Sequence, residues 1–147
     1  MGQQQLLLVI LVTIIVGIAT VVALNTFAAA ADAASRDSLR LDLVSIGSAS
    51  QGYYMRPAML GGGGRSFTDI DFTKFAFSGR IASEDDPLIR VNENGSYVIS
   101  GVSTDEFIVT GTISDQRGTT VSARVCPRNV RMGEIGYGTA PAPPACM

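Results

Sequence analysis

The sequence predicts an α+β chain in which a long N-terminal α-helix, hydrophobic over its first half, packs on a C-terminal antiparallel β-sheet of about four strands. Three observations carry that expectation. An uncharged apolar run fills Leu6–Leu24, no proline interrupts the chain before Pro57, and short β-patterned segments separated by turn residues occupy the second half.

The apolar run reads LLLVILVTIIVGIATVVAL, 19 residues in which only Thr13 and Thr20 are polar. At 1.5 Å per residue it spans roughly 28 Å, close to the hydrocarbon thickness of a bilayer. Its side chains are apolar all round rather than along one stripe, which excludes an amphipathic surface helix. No Asp, Glu, Lys or Arg precedes Asp32. A secretory signal peptide is one alternative, with Ala28–Ala34 as its small-residue region, but Met1-Gly2-Gln3-Gln4-Gln5 lacks the basic side chain such a signal carries. A plain single-pass anchor is another.

Good helix formers continue past the apolar run. Leu39, Leu43, Ile46, Ser50 and Tyr53 fall on one helical face suited to a sheet, while Asp32/Arg36 and Asp37/Arg40 are spaced for support on the exposed side. The resulting helix, from about Gln3 to Tyr54, would be on the order of 75 to 80 Å long. These readings divide the chain into a membrane-type helix (1–30), its amphipathic continuation (31–60), a flexible glycine-rich linker (61–66) and a β domain (67–147). GGGGR at 61–65 lacks the Lys-Ser or Lys-Thr of a phosphate loop.

In the β domain, SFTDIDFTKFAF places Ile70 and Phe72 on one phase and Phe75 and Phe77 on the other, a strand with a bulge or break near Lys74. LIRVNENGSYVIS predicts a hairpin with a type I′ turn at Asn94-Gly95. EFIVTGTIS and TTVSARVC supply two further strands around the turn Gln116-Arg117-Gly118, and short connections make sequential strands pair. Asn94-Gly95-Ser96 also fits a glycan acceptor, although turn geometry accounts for the same pair.

Cys126 and Cys146 bracket a stretch with four prolines and three glycines that predicts little regular structure. In an exported chain the two would form a disulfide worth roughly 3 kcal/mol in the chain-entropy model; two buried free thiols are the alternative.

Composition narrows function. A net charge of −2 with a single lysine, Lys74, gives no basic field for nucleic acid. The absence of histidine removes the commonest metal ligand and general base. Asp69, Asp71, Glu84, Asp85 and Asp86 read as strand-edge and loop carboxylates; the last three lack the alternating spacing of an EF-hand. No enzyme, metal site or cofactor is expected.

The apolar first half of the helix, its continuation, the linker, the antiparallel sheet and the cysteine-bounded C-terminal loop together resemble type IV pilins and pseudopilins. The likeness is sequence-specific only over Met1 to about Leu24. It implies a homopolymeric helical filament, a membrane-held precursor, assembly machinery in the cytoplasmic membrane, and a prepilin peptidase that usually cuts after a glycine before the new N-terminus is methylated. The first mature residue would be Met1 or Gln3, so Gln5 or Leu7 takes the fifth position, where the family has glutamate. Gln3, Gln4 and Gln5 would then set register by hydrogen bonding, or sit solvated at the bilayer interface. Thr13, Gly17 and Thr20 are candidate close-approach positions, with Gly17 also a point of local unwinding. The expected function is a major pilin of an extracellular filament. A minor pseudopilin and a monomeric anchored binding module are the alternatives.

Overall fold

The computed structural model describes residues 2–83, 86–114 and 117–147. One α-helix, α1 (Gly2–Met55), is followed by six strands: β1 (Arg80–Ser83), β2 (Asp86–Val91), β3 (Ser96–Ser100), β4 (Phe107–Thr112), β5 (Thr119–Val125) and β6 (Val130–Tyr137). All neighbours pair antiparallel in the order β1-β2-β3-β4-β5-β6. The fold class is therefore the expected α+β, with six strands rather than four. The chain divides into two compact units, Met1–Ser35 and Arg36–Met147.

The first unit is helix alone. From Leu6 to Leu24 every leucine, isoleucine and valine is between 47% and 68% exposed. The hydroxyls of Thr13, Thr20 and Thr26 donate back to the carbonyls of Ile10, Val16 and Val22 at 2.8, 2.8 and 2.9 Å. That bond satisfies the hydroxyl proton inside its own helix, which lets threonine sit among apolar side chains.

The second unit holds the core. Leu39, Leu43, Ile46, Ser50 and Tyr53, the stripe predicted from spacing, are all buried. They meet Tyr97 and Ile99 of β3, Phe107 and Val109 of β4, and Val121, Ala123 and Val125 of β5. Glycines set how closely helix and sheet approach. A β-carbon at Gly47 would collide with the Val130 side chain of β6, and one at Gly111 would come within 2.9 Å of Leu39.

Four local expectations change. Residues 66–77 form turns, not a strand, because the four residues to be buried, Phe67, Ile70, Phe72 and Phe77, fit no two-residue period. A turn closed by Ile70 N–H on the Phe67 carbonyl at 3.0 Å and an Asx turn at Asp71 drop these rings into the core individually. Phe67 meets Phe107 edge-on at 5.1 Å, and Phe77 meets Tyr97 at 5.2 Å.

The β2–β3 hairpin has no type I′ turn, since neither Asn94 nor Gly95 takes a positive φ. Glu93 and Asn94 are the central residues, and the Asn92 side-chain oxygen accepts the N–H groups of Asn94 and Gly95 at 2.9 and 3.1 Å. Gly95 is needed for space: a β-carbon there would strike the Thr112 carbonyl of β4. The predicted turn residue Gln116, like Glu84, Asp85 and Met1, lies outside the described residues.

The stretch between the cysteines contains β6, an eight-residue strand. Its prolines sit at the edges, Pro127 in the β5–β6 turn and Pro141, Pro143 and Pro144 beyond Tyr137, leaving the middle free to pair. Past β6 the chain crosses the outer face of β5, where Ser122 donates to the Pro141 carbonyl and Arg124 reaches the Pro143 carbonyl at 3.5 Å. That strap explains why nearly every β5 residue is buried, on both faces. Cys126 and Cys146 are bonded, with α-carbons 5.9 Å apart, and fasten the strap at its end.

The glycine run folds into a cap. Gly63, Gly64 and Arg65 donate their N–H groups to the carbonyls of Tyr53, Arg56 and Tyr54 at 2.9, 3.0 and 2.9 Å, serving the carbonyls at and just beyond the end of α1. Gly61 and Gly64 take the positive φ this reversal requires.

Candidate functional site

The residue-level candidates fall in two groups, one in each unit. In the first unit α1 is long and apolar enough to cross a membrane. Gln3, Gln4 and Gln5 occupy its first turns with exposed side chains. Thr13, Gly17 and Thr20 fall at i, i+4 and i+7 on one face, all exposed, and nothing lies within 4 Å of a β-carbon built on Gly17. The helix runs regularly through Gly17, with no unwinding there. This unit thus offers an apolar cylinder, one small-residue face, and amide groups at its start.

The second unit ties its hairpin to the helix through one carboxylate. Asp42 lies beside the buried stripe of α1, between Leu41 and Leu43. Its Oδ2 accepts hydrogen bonds from Tyr97 OH at 2.6 Å and from the Asn92 and Asn94 side-chain amides at 2.8 Å each. Burial pushes the Asp42 carboxyl up, but the bonds from Tyr97, Asn94 and Asn92 outweigh it and hold its pKa below the usual value of 3.8. Burial, then the bond to Asp42, pushes the Tyr97 phenol far above its ordinary range. At neutral pH the pair is a carboxylate and a neutral phenol, a fixed acceptor and donor. The Asn94 amide nitrogen, the atom a glycan would occupy, is one of the three donors.

Two further contacts hold the strap side. Gln51 donates from α1 to the Cys126 carbonyl at 3.1 Å, and Arg124 of β5 pairs with Glu106, the residue before β4. Spacing gave no hint of either partner. Asp42 did leave a trace in the sequence, as a lone acid three residues after Leu39 and flanking the apolar stripe. Of the contacting hairpin residues, Asn94 was legible as a turn former or glycan acceptor, and Asn92 and Tyr97 only as members of the hairpin.

Among the described residues no group of three or more acids or cysteines could hold a metal ion. Asp71 caps its own turn at Thr73 N–H at 2.7 Å, and Asp86 accepts from Leu88 N–H at 3.0 Å, so both carboxylates have local structural partners. What these arrangements do chemically is hold: the second unit is pinned by the Asp42 cluster, the glycine cap and the disulfide, while the first presents apolar surface. No protein-family model, curated protein or solved structure matches the chain.

Proposed function

We propose that this chain is the structural subunit of an extracellular type IV pilus-like filament, held in the membrane by the first half of α1 before assembly and packed through the same surface afterwards. One observation carries the reading. Fourteen leucine, isoleucine and valine side chains between Leu6 and Leu24 are exposed, and none is buried. At about 1.5–3 kcal/mol each, leaving them in water would cost on the order of 20–40 kcal/mol. That exceeds the roughly 5–15 kcal/mol by which a domain is stable, so lipid or neighbouring helices must cover them.

Lipid is as apolar as the helix, so exchanging it for neighbours gains little hydrophobic energy. Close packing along Thr13, Gly17 and Thr20 and hydrogen bonds from Gln3, Gln4 and Gln5 supply the preference for neighbours. Back-bonded threonine hydroxyls leave an oxygen free to accept from an adjacent helix. Once outside the membrane, water around the fibre holds subunits together through the same apolar surface. The long apolar helix, antiparallel sheet and C-terminal disulfide support the pilin-like architecture. By that resemblance a prepilin peptidase and membrane assembly machinery act on the chain, with Met1 or Gln3 methylated as the mature N-terminus.

The presence of Gln5, or Leu7, where the family has glutamate favours a second reading, a minor pseudopilin at low copy in a secretion or pilus machine. Shearing cells and weighing this chain in the released fraction separates the two. Fibres composed mainly of it support the major subunit, traces within fibres of another protein support the minor one, and complete retention in the membrane pellet contradicts both. Gln5→Leu addresses register: unchanged subunit spacing would remove the glutamines from the mechanism.

A further inference from the structure

Near the end of α1 the guanidinium groups of Arg65 and Arg128 make no ion pair or hydrogen bond among the described residues, and neither does that of Arg56, which lines a different notch. Arg65 and Arg128 both stand on rigid turns. Arg65 closes the glycine cap, its N–H on the Tyr54 carbonyl at 2.9 Å, and at φ 68° it is the one described non-glycine residue in the left-handed region. A fifth glycine would hold that conformation without strain, so the fold bears a small backbone cost to carry a side chain at this point.

Arg128 follows Pro127 in the four-residue connection, 126–129, that joins β5 to β6. That loop is closed by Cys126 N–H on the Asn129 carbonyl at 2.9 Å, and fixed at its base by the disulfide and by Gln51. Together with Tyr54, Met55 and Pro127, the two arginines line a notch of about 370 Å³. Among the described residues no carboxylate lines it. Phe67 steadies the Tyr54 ring at 4.7 Å.

We propose that this notch binds a carboxylate carried on a ring about the size of one sugar, such as a uronic acid unit of a polysaccharide. Guanidinium groups match a carboxylate with paired N–H donors, and two of them carried on hydrogen-bonded turns need no backbone movement to reach one ligand. The ring is called for by the rest of the wall. Tyr54, Met55 and Pro127 offer an apolar face that a bare oxyanion would leave unused, and the volume lies in the range of small-molecule sites. This inference does not depend on the filament reading, since every residue in it belongs to the second unit.

The test uses the full chain, labelled with ¹⁵N-arginine, in an uncharged polyoxyethylene detergent at about 0.15 M salt, where exposed charges are screened beyond about 8 Å. Glucuronate, glucose, acetate and inorganic phosphate are titrated separately while the arginine Nε–H resonances are followed. Saturable shifts at Arg65 and Arg128 are expected with glucuronate, at least about fivefold tighter than with acetate or phosphate and absent with glucose. Arg65→Gly, which relaxes the backbone rather than straining it, and Arg128→Gln should each weaken glucuronate binding by about fivefold or more. The proposal is overturned by small shifts spread over all arginines, by acetate or phosphate binding as tightly as glucuronate, by binding of glucose, or by undiminished binding in the two variants.

Discussion

Replacing Asp42 by alanine should unlatch the β2–β3 hairpin from the helix, and the structure gives the size of the effect. Three donors lose a charged acceptor at once: Tyr97 OH and the amides of Asn92 and Asn94. The two asparagines are half-buried, so water can take over most of what they lose. Tyr97 is completely buried, and its hydroxyl is left unpaired at a cost of about 1–3 kcal/mol. With a few tenths of a kcal/mol from each asparagine, the total is about 2–3 kcal/mol. For a unit of this size that corresponds to a fall in Tm of roughly 8–15 °C. Near-UV circular dichroism of the full chain in detergent reports it through the tyrosines, because the chain has no tryptophan. Tyr97→Phe should cost about 1–2 kcal/mol alone and nearly nothing in the Asp42→Ala background, a coupling of about 1 kcal/mol or more. A loss under about 0.5 kcal/mol for Asp42→Ala, or additive single and double variants, would refute the latch.

Acid should act through the same carboxylate. Its folded pKa lies below 3.8, so the folded state binds fewer protons than the unfolded one between those values; the stabilisation is complete above about pH 4 and disappears as pH falls through the folded pKa. Unfolding midpoints across pH 2–5 should therefore drop more steeply in the parent than in Asp42→Ala, and parallel curves would contradict the assignment. Gly47→Val should destabilise the second unit by about 1–3 kcal/mol through overpacking against Val130, whereas Gly52→Ala, on open helix surface, should stabilise it by about 0.5–1 kcal/mol in the same melts. Cys126→Ser with Cys146→Ser should remove about 3 kcal/mol, lowering Tm and exposing the strap after Tyr137 to protease first.

How much of this was legible in the sequence depends on the range of the interaction. The helix and its buried stripe follow from local periodicity, so Leu39 through Tyr53 could be placed without a structure. Residues 66–77 could not: their aromatic rings enter the core one at a time from turns, and tertiary packing overrides a strand-like composition. The strand β6 was masked by prolines counted over the whole inter-cysteine stretch, although all four sit outside the strand itself. The Asn94-Gly95 pair invited a local explanation through φ, yet Gly95 is required because β4 runs too close for a side chain. Contacts such as Asp42 to Tyr97, 55 residues apart, join elements whose spacing carries no mark of the partner. The apolar surface of the first unit is the opposite case, since a segment that buries nothing within its own chain is visible from composition alone.

The central claim is that the surface of Leu6–Leu24 ends up covered by copies of itself, and cryo-electron microscopy of sheared cell-surface material, with mass spectrometry of the first residue, tests it most directly. Fibres built mainly of this chain are expected, with helices carrying Leu6–Leu24 packed against one another along the fibre axis and a methylated N-terminus at Met1 or Gln3. Cells that express the chain but release no such fibres, with the protein confined to the membrane as a monomer, would contradict that claim.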